Sequence, residues 1–221
     1  MSQQVGSLSR IFQAAAHVVA ANRADLNLSD KSNGNHGDQM VAIFETAQRA
    51  AQETSEASLA DAMAYAAVLL EDMPDNSTAQ VYRRGLLCLA EQFRQRDVGL
   101  VDLLAYVHSH LAEGEALPSS QIDPEKSAAL LKALVHAMAN WEQSEKTGSV
   151  GEAAGSARGA DMGYLFGVGM AYLQAKQQGG DRLDILAETV VASSPLAGAP
   201  DRRQSGKLVV RAMLEAMRSG I

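Results

Sequence analysis

The sequence predicts an all-α protein of about eight antiparallel helices. Three observations carry that prediction. Every periodic segment repeats its apolar residues at the helical spacing and none alternates with period two. Ala, Leu, Met, Gln and Glu, all good helix formers, recur along the chain, whereas only 5% of residues are aromatic and five are proline. A composition of 47% hydrophobic and 20% charged residues suits a globular protein with a real core, read here as one domain over residues 1–221.

The first helix is expected from Ser7 to Ala24, with Leu8, Ile11, Phe12, Ala15, Val18, Val19 and Asn22 on one buried stripe. A polar loop follows. A second helix, Asp38 to Thr54, carries Met40, Ile43, Phe44, Ala47 and Ala51 inward. A third, capped by Ser58, runs to Met73 on Leu59, Met63, Ala66, Ala67 and Leu70 and stops at Pro74. The fourth spans Thr78 to Arg96, and the fifth Gly99 to Ala112. A linker through Gly114 and Pro118 leads to an Asp123-Pro124 start signal and a helix continuing from Ala128 to Trp141. From Glu145 to Gly169 the composition shifts to Gly, Ala and Ser, with Gly163, Gly167 and Gly169 suited to close helix packing. Asp181 caps a helix through Ile185, Leu186, Val190 and Val191. A loop from Ser193 to Ser205 then precedes a last helix, Gly206 to Arg218, with Leu208, Val209, Ala212, Met213 and Met217 inward.

The net charge of −7 argues against nucleic acid or an anionic membrane as partner, because both demand a basic face. Cys88 is the only cysteine, so it forms no intramolecular disulfide, and its apolar setting reads as a small core residue. His108, His110 and His136 lack metal-ligand spacing. No secretory signal or membrane span is visible, which points to the cytoplasm; a homo-oligomer is left open.

Function is expected in the polar stretch from Leu26 to Met40. Asp30, Asn33, Asn35, His36 and Asp38 crowd oxygens and an imidazole around Gly34 and Gly37, and glycine allows positive φ or close approach to a ligand. A purely structural reading stands beside this one: Asp30 and Asn33 make Asx-turns, and Asp38 is the N-cap of a helix beginning at Gln39. Pro74 to Tyr82 offers a second choice of the same kind. Asn76 or Ser77 either caps the helix or, with Thr78, forms an anion site at a helix N-terminus.

Asn33-Gly34-Asn35-His36-Gly37-Asp38-Gln39-Met40, after Leu26-Asn27 and Asp30, resembles the nucleotide-binding domain of dihydroxyacetone kinases, including the L subunit of the phosphotransferase-dependent enzyme. The family loop reads Leu-Asn-x-x-Asp, a short spacer, then Asp-Gly-Asp-His-Gly-x-x-Met. Ser77, Thr78 and Tyr82 match its Gly-Gly-(Ser/Thr)-Ser-Gly-x-Leu-Tyr helix start. Glu125-Lys126-Ser127 stands where the family has Asp-Lys-Thr. Gly198, Pro200, Asp201 and Ser205 stand in for its nucleotide-closing loop, and Arg182 is a loose counterpart of a phosphate-contacting arginine.

The resemblance implies a helical barrel with a nucleotide site formed by loops at one end. It implies ADP or ATP held by Asn33, Gly34, Asn35, His36, Gly37, Asn76, Ser77 and Thr78, with magnesium at Asp30, Asn33 and Asn35. It also implies a partner, either a separate substrate-binding kinase subunit or a phosphotransferase protein. The sequence departs from the family where it matters: both paired aspartates are Asn33 and Asn35, and the Asp30 to Asn33 interval is shorter. Magnesium prefers anionic oxygen, and an amide carbonyl carries no charge. The expectation is a degenerate, dihydroxyacetone-kinase-like nucleotide- or partner-binding protein with weak or no phosphoryl transfer. The alternative is an active nucleotide-binding subunit.

Overall fold

The first helix, α1, occupies Ser2–Ala21 in the computed structural model, which describes residues 2–96 and 170–219. Leu8, Ile11, Phe12, Ala15 and Val19 are buried along it, as the spacing predicts. The chain does not run straight on to Ala24. The Asn22 side chain donates to the Val18 carbonyl at 2.8 Å, and its backbone N–H reaches the same oxygen at 3.2 Å. A side chain that competes for a helix carbonyl in this way disturbs the last turn. A second short helix, α2, then covers Arg23–Ser29, so Leu26, expected at the head of a loop, is a fully buried helical residue.

Helix α3 is His36–Glu53, α4 is Leu59–Glu71 and α5 is Ser77–Arg96. The Ser58 cap forms as expected: its hydroxyl accepts the Asp61 N–H at 3.1 Å, and α4 ends two residues before Met73. Residues 170–178 are helical, and α6 is Arg182–Ala192, capped by Asp181 accepting from the Asp184 N–H at 2.8 Å. A 3-10 turn, Pro195–Gly198, leads into α7, Pro200–Arg218. The expected loop from Ser193 to Ser205 is therefore half helix. Pro200 occupies the first turn, where its missing N–H costs nothing, and Asp201 follows at the positive end of the helix dipole.

Among the described residues there is no strand, and the protein is all-α. Helix α1 packs along α3 and α7, α4 packs on α5 and α3, and α6 lies on α7. Phe44, Ile43, Met40, Leu26, Leu70, Phe93 and Val19 fill the centre, each burial contributing about 1.5–3 kcal/mol. Phe44 meets Tyr82 edge-on with centroids 5.2 Å apart, joining α3 to α5. Cys88 is buried on α5, as its setting predicts. No helix among the described residues is long and apolar enough to cross a membrane. The expectations for Gly99 to Ala112, Ala128 to Trp141, Glu125-Lys126-Ser127, His108, His110, His136 and Gly163 to Gly169 lie outside the described residues.

Candidate functional site

The polar stretch closes on itself before it meets anything else. Asp30 accepts the Ser32 N–H at 2.9 Å with one carboxylate oxygen and the Asn35 N–H at 3.2 Å with the other. Asn33 Oδ1 also accepts the Asn35 N–H, at 3.3 Å. Gly34 turns the chain with a φ of 71°, the left-handed region that a residue without Cβ enters at little cost. The Asx-turn reading of Asp30 and Asn33 therefore holds. The hydrogen bond from Ser32, helped by that from Asn35, keeps the Asp30 carboxyl below the usual carboxylate range.

The start of α3 differs from the expectation for Asp38. The helix begins at His36, and the amide that caps it comes from α2. Asn27 Oδ1 accepts the Gly37 N–H at 2.7 Å and the Asp38 N–H at 3.2 Å, while Asn27 Nδ2 donates to Asp38 Oδ2 at 2.8 Å. Asp38 is thus inside the first turn, paired with Arg23, and the orphan N–H groups of the helix end are satisfied from a neighbouring element. Sequence reasoning that sought the cap beside the helix could not find one held ten residues upstream.

Three stretches far apart in sequence meet here: the start of α3, the start of α5 and the start of α7. Asn76 caps α5, accepting the Ala79 N–H at 2.8 Å, and its amide donates to the Gln39 carbonyl at 3.3 Å. Thr78 is buried and donates to Gln39 Oε1 at 3.4 Å. Ser77 is exposed, and Arg202 of α7 donates to its hydroxyl at 3.4 Å. His36 is 2% exposed, with Nε2 at 2.8 Å from Ser205 Oγ of α7. The Ser205 hydroxyl also donates to the Arg202 carbonyl at 3.1 Å, and the direction of its bond with His36 follows the imidazole tautomer. Asp201 stands 3.9 Å from Nδ1, beyond hydrogen-bond length.

Of the sequence candidates, Asn33, Gly34, Asn35, His36 and Gly37 form one loop and helix start, and Asn76, Ser77 and Thr78 adjoin it through Gln39. Asp201 and Ser205, matched to the family's closing loop, reach it through His36. Arg182 is exposed at the first turn of α6, and Arg202 reaches the site instead. Its signal was present, an arginine in the first turn after Pro200, but the stretch read as loop. Two buried atoms close by lack hydrogen-bond partners, Asn35 Oδ1 and the Tyr82 hydroxyl. Burial pushes the Tyr82 hydroxyl up from its ordinary value, against the pull of Arg202.

The donor set does not fit two magnesium ions. It offers Asp30, whose oxygens hold the loop's own backbone, and two neutral amides, one of which also holds that backbone. Among the described residues no three His, Cys, Asp or Glu side chains gather as a metal site.

Burial holds the His36 imidazole below its ordinary value, outweighing the nearby Asp201 and Asp30 carboxylates, and Arg202 adds to the depression. The sign of the pH effect follows. Below the free value of 6.5 the unfolded chain takes up a proton that the folded imidazole resists, so stability should decline as pH falls from that point. Asp30, whose folded value lies below 3.8, acts in a separate acid window. Urea unfolding at about pH 7.5 and about pH 5.5 should show the loss, and His36→Gln should flatten it. An unchanged pH slope in the variant would remove His36 as its source.

In comparisons with protein-family models, curated proteins and solved structures, nothing matches this chain.

Proposed function

We propose that this protein is a nucleotide-phosphate-binding helical barrel of the dihydroxyacetone kinase L-subunit type, acting in the cytoplasm, in which the metal site is degenerate and phosphoryl transfer is weak or lost. One observation carries the reading: the loop from Asp30 to Asp38, the Asn76-Ser77-Thr78 helix start and the first turn of α7 meet through His36, Gln39 and Arg202. These are the stretches that resemble the family's nucleotide loops, and nothing in their separate sequences requires them to be neighbours.

Helix starts with exposed hydroxyls are suited to phosphate oxygens, because their first N–H groups have no partner within the helix and the dipole favours negative charge. What the chain lacks by this reading is the pair of carboxylates that would hold metal against those phosphates. It retains a nucleotide- or partner-binding role beside a separate substrate-binding subunit or phosphotransferase protein. No step of metal-assisted transfer is assigned to it.

The test is calorimetric titration with ADP and with ATP, each with and without magnesium. Binding that is competed by inorganic pyrophosphate, with no turnover of ATP in the presence of dihydroxyacetone, is the expected result. Magnesium-dependent ATP turnover on addition of a substrate-carrying partner would put the active-kinase alternative first. Absence of any nucleotide binding would end the reading.

A further inference from the structure

We propose that Asn33 is a self-modifying position: in the folded protein the Gly34 backbone nitrogen attacks the Asn33 side-chain amide, expels ammonia and leaves an aspartate or isoaspartate in the loop. The chemistry needs no nucleotide, metal or partner, and so stands apart from the function proposed above. It begins with the pair Asn33-Gly34, whose second residue has no Cβ to obstruct a ring closing between its nitrogen and the Asn33 Cγ. Both residues are exposed, so water and hydroxide reach them.

The turn leaves the nucleophile free and polarises the electrophile. Asp30 accepts the Ser32 and Asn35 N–H groups, whereas among the described residues no group accepts the Gly34 N–H. Attack by that nitrogen therefore breaks no hydrogen bond. On the other side, Asn33 Oδ1 accepts the Asn35 N–H at 3.3 Å. Negative charge collects on Oδ1 as the Gly34 nitrogen adds to Cγ, and a backbone N–H already aimed there stabilises it as an oxyanion hole does. Asp30 Oδ2 shares the same N–H at 3.2 Å, and its charge opposes the intermediate; the bond to Oδ1 strengthens as Oδ1 becomes an anion.

The step balances with water as the only co-reactant. Hydroxide takes the Gly34 N–H proton, the bond from that nitrogen to Cγ forms, the bond from Cγ to Nδ2 breaks, and Nδ2 leaves as ammonia with a proton from water. Water then opens the cyclic imide. Opening at Cγ restores the ordinary backbone with aspartate at 33; opening at the backbone carbonyl carbon gives isoaspartate, with the chain running through the side chain. The other asparagines of the described residues are less exposed to this chemistry. Asn27 and Asn76 have both ends of their amides engaged, and Asn22, Asn27, Asn35 and Asn76 all precede residues with a Cβ. Either product at 33 adds a carboxylate to the turn that Asp30 occupies, and isoaspartate also lengthens the backbone just before Gly34, at a φ of 71°, leads the chain into α3.

The experiment incubates the full chain, native and in urea, at mildly alkaline pH, and follows each asparagine by peptide mass spectrometry that separates aspartate from isoaspartate. In the native protein Asn33 should convert at least about tenfold faster than Asn22, Asn27, Asn35 or Asn76, with isoaspartate among the products. Gly34→Ala should slow the conversion by at least about tenfold, with circular dichroism checking that the variant folds. Asn33→Gln, an exposed change whose longer side chain closes the ring poorly, should remove the rapid phase of ammonia loss from the intact protein even if the alanine variant does not fold. Aspartate without isoaspartate would mean direct attack by water and would overturn the role of Gly34. Conversion in urea but not in the native protein would show that the turn protects Asn33 and would overturn the proposal, as would conversion of Asn76 at an equal rate or a rapid phase that survives Asn33→Gln.

Discussion

Gly37→Ala is expected to destabilise the protein by about 3 kcal/mol, at the upper end of what one added methyl group costs in a packed region. The reason is the seat of α3 on α2. A Cβ at Gly37 would fall far inside contact distance of the Arg23 backbone carbonyl oxygen and 2.9 Å from Asn27 Oδ1. The carbonyl belongs to α2 and cannot swing aside as a side-chain tip would. Asn27 Oδ1 is the group that accepts the Gly37 and Asp38 N–H groups, so displacing it also uncaps α3. For a chain of this size the midpoint of thermal unfolding should drop by about 6–12 °C. Gly34→Ala is the useful comparison. It faces only the Asn27 carbonyl, at 4.0 Å, and its penalty comes from the φ of 71°, about 1–2 kcal/mol. If urea unfolding finds Gly37→Ala no worse than Gly34→Ala, the close approach of α2 and α3 is not what seats the loop.

The contrast between those glycines shows what the sequence could and could not reveal. That Gly34 turns the chain was readable, since an Asn-Gly pair between polar residues is a turn signal with a mechanism. That Gly37 sits under a neighbouring helix was not, because the partner is a backbone atom of Arg23 and no composition records it. The apolar stripes of α1, α3 and α4 were legible, as Phe12, Phe44 and Leu70 show, since burial follows the helical repeat, although Val18 and Asn22 of the α1 stripe are only half-buried. The breaks were less so. Asn22 reads as one more stripe position until its side chain is seen on the Val18 carbonyl, and Pro200-Asp201 reads as loop although it is also a helix start. The meeting of His36 with Ser205 was beyond any local pattern: the two lie 169 residues apart, and tertiary packing alone makes them neighbours.

The double substitution Asn33→Asp plus Asn35→Asp should convert the loop into one that needs magnesium. Asn35 stands at the N-cap of α3 with its Oδ1 buried and unpartnered, and its N–H is held by Asp30 and Asn33. A carboxylate there gains from the helix dipole, yet with Asp30 and a second new carboxylate at position 33 it makes three negative charges around one tight turn. In EDTA the variant should therefore be less stable than the wild-type protein. Magnesium relieves the repulsion and takes anionic oxygens as ligands, so the variant should recover stability on titration with the ion, by about 2.7 kcal/mol when the ion exceeds its dissociation constant a hundredfold. The wild-type chain, with neutral amides at both positions, should show no such gain. Because Asn33-Gly34 is prone to deamidation, peptide mass spectrometry must first establish that the wild-type sample still carries asparagine. A folded double variant whose unfolding is indifferent to magnesium would mean that the loop is not a neutralised metal site. The shortened interval between Asp30 and Asn33, with both Asp30 oxygens turned onto the loop's own amides, would then be the feature that keeps a metal out whatever the charge at the two asparagines.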